Sequence, residues 1–238
     1  WRHPGRGLLH PGEFLDVAES GGLLGRLGGW VLEHACGDAI AYQRLLQSPF
    51  SVAINVSPSE FRGDELVRTL EQLAQRLSCD FGWLEIEVTE QMFLPSESTS
   101  SGLHSLARLR DLGVSVSIDD FGTGYSNLAS LHALPVDRLK IDSTFIANLG
   151  HDREAEAIVR AIIALAHNLG LGVVAEGVET AAQLEFLRAE ACDRAQGFRF
   201  SPPRPFADFI RFLGDYAAGE SGADHLAGGD AALSNISR

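Results

Sequence analysis

The sequence predicts an α/β fold, a parallel (β/α)8 barrel. Three observations point there. Strand-like and helix-like segments alternate six times, which asks for a parallel sheet with helical crossovers. No Gly-rich phosphate loop follows the first strand, as a dinucleotide-binding or P-loop fold would require. Polar residues stand instead at the ends of many strands: Asn55, Glu87, Asp119, Asp120, Lys140, Glu176 and Gln196. An open doubly wound sheet collects ligands mainly at one switch point, whereas a barrel gathers side chains from many strand ends onto one rim. Six strands are visible where a barrel needs eight, so the first two are expected to be absent from this chain.

The elements follow in order. Trp1 to Gly7 has no initiator methionine and reads as the start of a fragment. Pro11 to Ser20 suits a short helix with Phe14, Leu15 and Ala18 on one side, ended by Gly21 and Gly22. Leu23 to Gln47 suits a longer amphipathic helix, with Leu24, Leu27, Val31, Leu32, Ala35, Ile40 and Leu45 apolar. Phe50 to Val56 is the first strand, and Ser57-Pro58 opens a helical turn. Asp64 to Leu77 places Leu66, Leu70, Leu73 and Leu77 at helical spacing. Trp83 to Val88 is the second strand, with Leu84, Ile86 and Val88 on one face and Glu85 and Glu87 on the other.

A helix over Leu103–Leu112 closes at Gly113. The third strand alternates Val114, Val116 and Ile118 with Ser115 and Ser117 and ends in two adjacent carboxylates, Asp119 and Asp120. Gly122 and Gly124 then permit a tight turn. Val136–Ile141 is the fourth strand, and Glu154–Leu169 a long helix stopped by Gly170. Leu171–Ala175 is the fifth strand, followed at once by Glu176 and Glu179. Ala181–Ala189 is helix, Ala191–Gln196 the short sixth strand, and Pro205–Tyr216 the last helix. One domain over residues 1–216 is therefore expected, followed by a flexible Gly/Ala-rich acidic tail over 217–238 with too little apolar mass for a core.

Composition narrows the function. The chain has 238 residues and 45% hydrophobic content, a globular balance. Its formal charge of −13 argues against a nucleic acid polymer as partner, since that needs broad Lys/Arg surfaces. Three scattered cysteines, Cys36, Cys79 and Cys192, fit reduced thiols in the cytoplasm rather than a disulfide frame or a zinc site. No run of 18 apolar residues is present, so no membrane contact is expected from this chain, with an anchor in a longer parent left open.

A barrel would bring Asn55, Glu87, Asp119, Asp120, Lys140, Glu176 and Glu179 to one rim. Their oxygens suit Mg²⁺ or Mn²⁺ rather than zinc, and a shared Asp would make a two-ion centre able to activate water beside a phosphoryl group. Lys140 is a point charge suited to a phosphate or to orienting water, and Glu176 is a candidate general base. Each residue has a plainer alternative. Asn55 could cap the turn at Ser57-Pro58, Glu87 could be solvated, and Lys140 could simply pair with Asp142 or Asp119. Glu176 and Glu179 could favour a helix N-terminus, and Gln196 could bond backbone. Their coincidence at consecutive strand ends is what favours a site.

Taken together, the motifs Asn55-Val-Ser57, Glu87-Val-Thr-Glu90, the run from Asp119 through Phe121-Gly-Thr-Gly124 to Ser126, Leu139-Lys-Ile-Asp142, Ala175-Glu-Gly-Val-Glu179 and Gln196-Gly197 resemble EAL-domain cyclic-di-GMP phosphodiesterases, as does the opening Trp-Arg-His-Pro. The resemblance runs from Trp1 to about Leu213. It implies a modified TIM barrel whose first strand is antiparallel, and Mg²⁺- or Mn²⁺-dependent hydrolysis of cyclic-di-GMP to linear pGpG. By it, Asn55, Glu87 and Asp119 look like ligands of one ion, and Asp119, Asp120 and Glu176 like ligands of a second. Lys140 resembles the lysine that contacts the attacking water, and Glu179 and Gln196 look like supporting residues. Glu90 resembles the acid that holds the Asp120–Ser126 loop, through which the resemblance also implies a homodimer.

This sequence departs from the family pattern in places. The signature Glu-Ala-Leu segment, whose Glu is a metal ligand, would lie just before Trp1. The expectation is a barrel with an open edge, poor stability unless completed, and slower hydrolysis than a parent carrying that segment. Phe198 stands where the family often has Tyr, and Asn127 where it often has Ser. The alternative to an enzyme is a cyclic-di-GMP receptor without turnover; a remnant of a truncated gene is a third reading.

Overall fold

The computed structural model describes residues 1–46, 50–61, 65–77, 79–93, 99–123, 131 and 134–217. A two-residue antiparallel hairpin opens the chain, β1 (Arg2–His3) with β2 (Gly7–Leu8), which the sequence pattern does not announce. The expected helix over Pro11–Ser20 divides into a 3₁₀ turn, Pro11–Glu13, and α1 (Leu15–Ser20). A long helix follows as α2 (Leu24–Leu46), with the expected terminus at Gln47 outside the described residues.

Six strands then form one parallel sheet in sequence order: β3 (Val52–Asn55), β4 (Leu84–Thr89), β5 (Ser115–Phe121), β6 (Arg138–Ile141), β7 (Gly172–Ala175) and β8 (Arg194–Ala195). Consecutive parallel strands in strict order, with helices between them, produce a curled half-barrel, the architecture the alternation predicts. Among the described strands β3 and β8 are the two edges and do not pair with each other.

The crossovers are α3 (Pro58–Phe61) with α4 (Glu65–Leu77), then α5 (Thr99–Asp111), α6 (Ser143–Ala147) with α7 (Arg153–Asn168), and α8 (Ala181–Ala189). The last helix is α9 (Phe206–Ala217). Gly113 at φ 81 and Gly170 at φ 73 stop the chain after α5 and α7, in the left-handed conformation a helix C-terminus favours. The short α6 escapes a periodicity argument because five residues hold little more than one turn. What starts it is Asp142, whose carboxylate accepts from the Thr144 amide at 2.9 Å. Residues 218–238, nearly all of the expected tail, lie outside the described residues.

Register sorts the side chains. The pairs Val52↔Leu84, Ile86↔Val116, Val88↔Ile118, Ile118↔Leu139 and Leu139↔Val173 put one alternating set against the helices, and this set is buried. The other set, Asn55, Glu85, Glu87, Ser117, Arg138 and Lys140, faces the concave side. Strand register is also held by acids. Asp137 accepts from the Val116 amide and Asp193 from the Val173 amide, both at 2.8 Å, so each tethers the start of the strand next to its own. Among the described residues no helix is long and apolar enough to cross a membrane.

Candidate active site

The concave face carries two rungs of charge. On the lower rung Arg138 reaches across β5 to Glu85 at 2.9 Å. Two residues further along each strand the pattern repeats with Lys140, whose Nζ lies 2.6 Å from Glu87 and 3.0 Å from Asp119 and also contacts Glu176. Glu87, Asp119 and Lys140 are all buried. Asn55 donates to Glu87 at 2.9 Å and Gln196 to Glu176 at 2.6 Å. Side chains from β3, β4, β5 and β6 and from the segments following β7 and β8 thus meet around one ammonium.

Simple alternation would send Asp119 and Asp120 to opposite faces. A register shift between Ile118 and Phe121, with Asp120 at φ 53, overrides it. This bulge keeps one carboxylate oxygen of each within 4.8 Å of the other and of Glu176. Left-handed backbone at a residue other than glycine is strained by about 1–3 kcal/mol, a strain that tends to cluster at functional sites. The strand accordingly runs on through Phe121, two residues past Asp119, rather than ending at the acid pair.

Asn55 does not cap the next helix; Ser57 and Glu60 form that reciprocal box, with the Ser57 amide donating to Glu60 at 2.9 Å. Glu87 is not solvated. Lys140 pairs with Asp119 rather than with Asp142, whose carboxylate is engaged by Thr144 and by Asp120. Gln196 bonds a carboxylate through its side-chain amide. Two other residues stand apart. Glu179 is exposed on the cleft wall, its amide donating to Gln183. Glu90 opens a 3₁₀ turn, Glu90–Phe93, and one of its buried oxygens finds no hydrogen-bond partner among the described residues. The loop assigned to it by resemblance runs into residues 124–126, outside the described residues. The Glu85–Arg138 pair went unremarked in the sequence, although its two-residue offset from Glu87 and Lys140 was a readable signal.

Electrostatics follow from burial. Desolvation pushes the Glu87 carboxyl up to about 7, against the pull of Lys140. Burial also raises Glu176, and raises Asp120 with help from Asp119. Burial alone would lower the Lys140 ammonium, but Glu87, Glu176 and Asp119 together hold it above its ordinary value. One ammonium shared among three carboxylates is strongly held, while each acid remains under-neutralised. Among the described residues, four carboxylates and the amides of Asn55 and Gln196 therefore converge around one cation, Lys140, a donor set that fits hard divalent ions.

That imbalance has a measurable consequence. Glu87 is protonated in both folded and unfolded chains below pH 4.5 and ionised in both above about 7. The folded form alone retains the proton in between, so its stabilising effect is full at the acid end and lost as pH rises. The loss for the metal-free protein should be roughly 3 kcal/mol across that window. Urea unfolding at a series of pH values checks this, with Glu87→Gln flattening the slope; equal slopes for the two proteins would remove Glu87 as its source.

Asn55, Glu87, Asp119, Lys140, Glu176 and Gln196 line a cleft of about 930 Å³ bounded by α1 and α2 on one side and the strand ends on the other. A family model described as EAL domain matches residues 1–203. Cyclic di-GMP phosphodiesterase NbdA of Pseudomonas aeruginosa is 43% identical over 216 residues, covering 91% of this chain and 27% of that protein. From the same organism, the bifunctional diguanylate cyclase/cyclic di-GMP phosphodiesterase MucR is 43% identical over 205 residues, covering 86% and 30%. A solved structure described as PaMucR phosphodiesterase, c-di-GMP complex, superposes with a TM-score of 0.83 at 42% identity, covering 88% of this chain and 84% of the other. The chain spans about a quarter to a third of the length of these curated relatives.

Proposed function

Because the chain belongs to the EAL domain family, we propose that it hydrolyses cyclic-di-GMP to linear pGpG at a two-ion site of Mg²⁺ or Mn²⁺. The observation that carries this reading is the convergence of Asn55, Glu87, Asp119, Asp120 and Glu176 around Lys140. Asn55, Glu87 and Asp119 would hold one ion, and Asp119, Asp120 and Glu176 the other. When bound, the ions would lower the pKa of water and draw charge from the phosphoryl oxygens.

The chain's own groups do the rest. Glu176, raised by burial yet paired with Lys140, is suited to accept the proton of the attacking water. Gln196 helps to fix the rotamer of that carboxylate by donating to the same oxygen that Lys140 contacts. Lys140 places positive charge where the phosphodiester's negative charge must come. Hydroxyl adds to phosphorus, one ester oxygen leaves with a proton, and the ring opens to a linear dinucleotide.

Incubating the chain with cyclic-di-GMP and Mg²⁺ or Mn²⁺, followed by chromatography, tests the proposal. pGpG should accumulate and should cease to form when EDTA is added. Cyclic-di-GMP retained by the protein without product would sink the hydrolytic reading in favour of a receptor.

A further inference from the structure

Phe198 lies on the wall of the cleft and leaves 64% of its surface exposed. Ligand clefts are lined mainly by apolar and aromatic side chains, so a ring exposed on such a wall is available to a ligand. Two other rings line the same cleft, and both face neighbours: Phe14 meets Trp1 edge-on at 5.6 Å, and His34 lies 4.0 Å from Trp30. Phe198 faces no ring among the described residues.

Its backbone is held firmly. The Gln196 amide donates to Ala175 at 2.8 Å, the Val178 amide to Gln196 at 2.9 Å, and the Arg199 amide to Val178 at 2.9 Å. Between them Gly197, at φ 151, packs so closely that a Cβ would lie 2.3 Å from both the nitrogen and the oxygen of Val178. Only glycine allows that approach. The exposed ring is therefore mounted on a tethered segment, two residues from the Gln196 that holds Glu176.

We propose that Phe198 is a stacking platform for a purine base of the dinucleotide, a binding residue that sets affinity rather than chemistry. This rests on the proposed function. The acidic centre accounts for the phosphates of such a substrate but offers no apolar plane to its bases. An aromatic face supplies that plane, and removing it typically weakens binding by about 10- to 100-fold per base.

The test is calorimetric titration of the chain with cyclic-di-GMP, with Ca²⁺ present as an oxygen-seeking ion. Phe198→Ala and Phe198→Leu should each weaken binding by about 10- to 100-fold, while Phe198→Trp should keep it. The exposed position means that all three variants should retain the parent's thermal unfolding profile. Wild-type affinity in the alanine variant, or full rescue by leucine, would overturn the stacking role while leaving hydrolysis untouched. No binding by the unsubstituted chain would overturn both proposals, whereas binding without product would sink hydrolysis alone.

Discussion

Lys140→Met will destabilise the metal-free protein by roughly 3–5 kcal/mol at about pH 7.5, the typical consequence of removing one partner from a buried ion pair. Methionine matches the lysine stem closely in volume, so little of this loss would come from a cavity. It would come from Glu87, Asp119 and Glu176, which all lean on the same ammonium. Without it the buried carboxylates must take up protons or leave the site. Two signatures identify that origin. The deficit should shrink as pH falls and the acids become neutral, and added Mg²⁺ should recover part of it by replacing the missing charge. Denaturant unfolding with and without Mg²⁺ at two pH values measures both. A variant as stable as the parent near neutral pH would mean the acids do not depend on Lys140, and the account of the cluster would fail.

Why much of this was legible from sequence, and some was not, is a matter of which forces set each feature. Strand positions and facing are local. The alternation in Leu84–Val88 marks Glu87 as turned away from the helices, and parallel order then brings Asn55, Glu87, Asp119 and Lys140 to one side. Which partner a charge selects is not local. Lys140 could have paired with Asp142 two residues away; the Thr144 amide and hydroxyl claim that acid instead. The bulge at Asp119–Asp120 is likewise invisible to periodicity, since β-alternation counts residues and a bulge breaks the count. The exposure of Phe198 is not local either. Its exposure depends on how Gly197 packs on Val178, a contact between segments 19 residues apart.

Glu176→Gln should lower turnover of cyclic-di-GMP by about 10²- to 10⁴-fold, the range in which a positioned general base contributes. The substitution is nearly isosteric, and its carbonyl oxygen can still accept from Gln196, so the side chain should remain where it is. What disappears is the proton acceptor and one negative charge, which faces Lys140 and would also face the second ion. Stability should therefore change little, or rise, because a buried carboxylate is replaced by a neutral amide. The pH profile separates a base from a residue that merely fills space. In the metal-free protein burial first, and neighbouring Asp119 and Asp120 with it, raise Glu176 against the pull of Lys140; in the loaded enzyme the ion's charge would favour the ionised form, and only that form can accept a proton from water. Activity of the parent should climb with pH as Glu176 loses its proton, and this ascending limb should be absent from the residual activity of the variant. Turnover within about tenfold of the parent, or an unchanged ascending limb, would move the base elsewhere in the cluster, with Asp120 the next carboxylate to substitute.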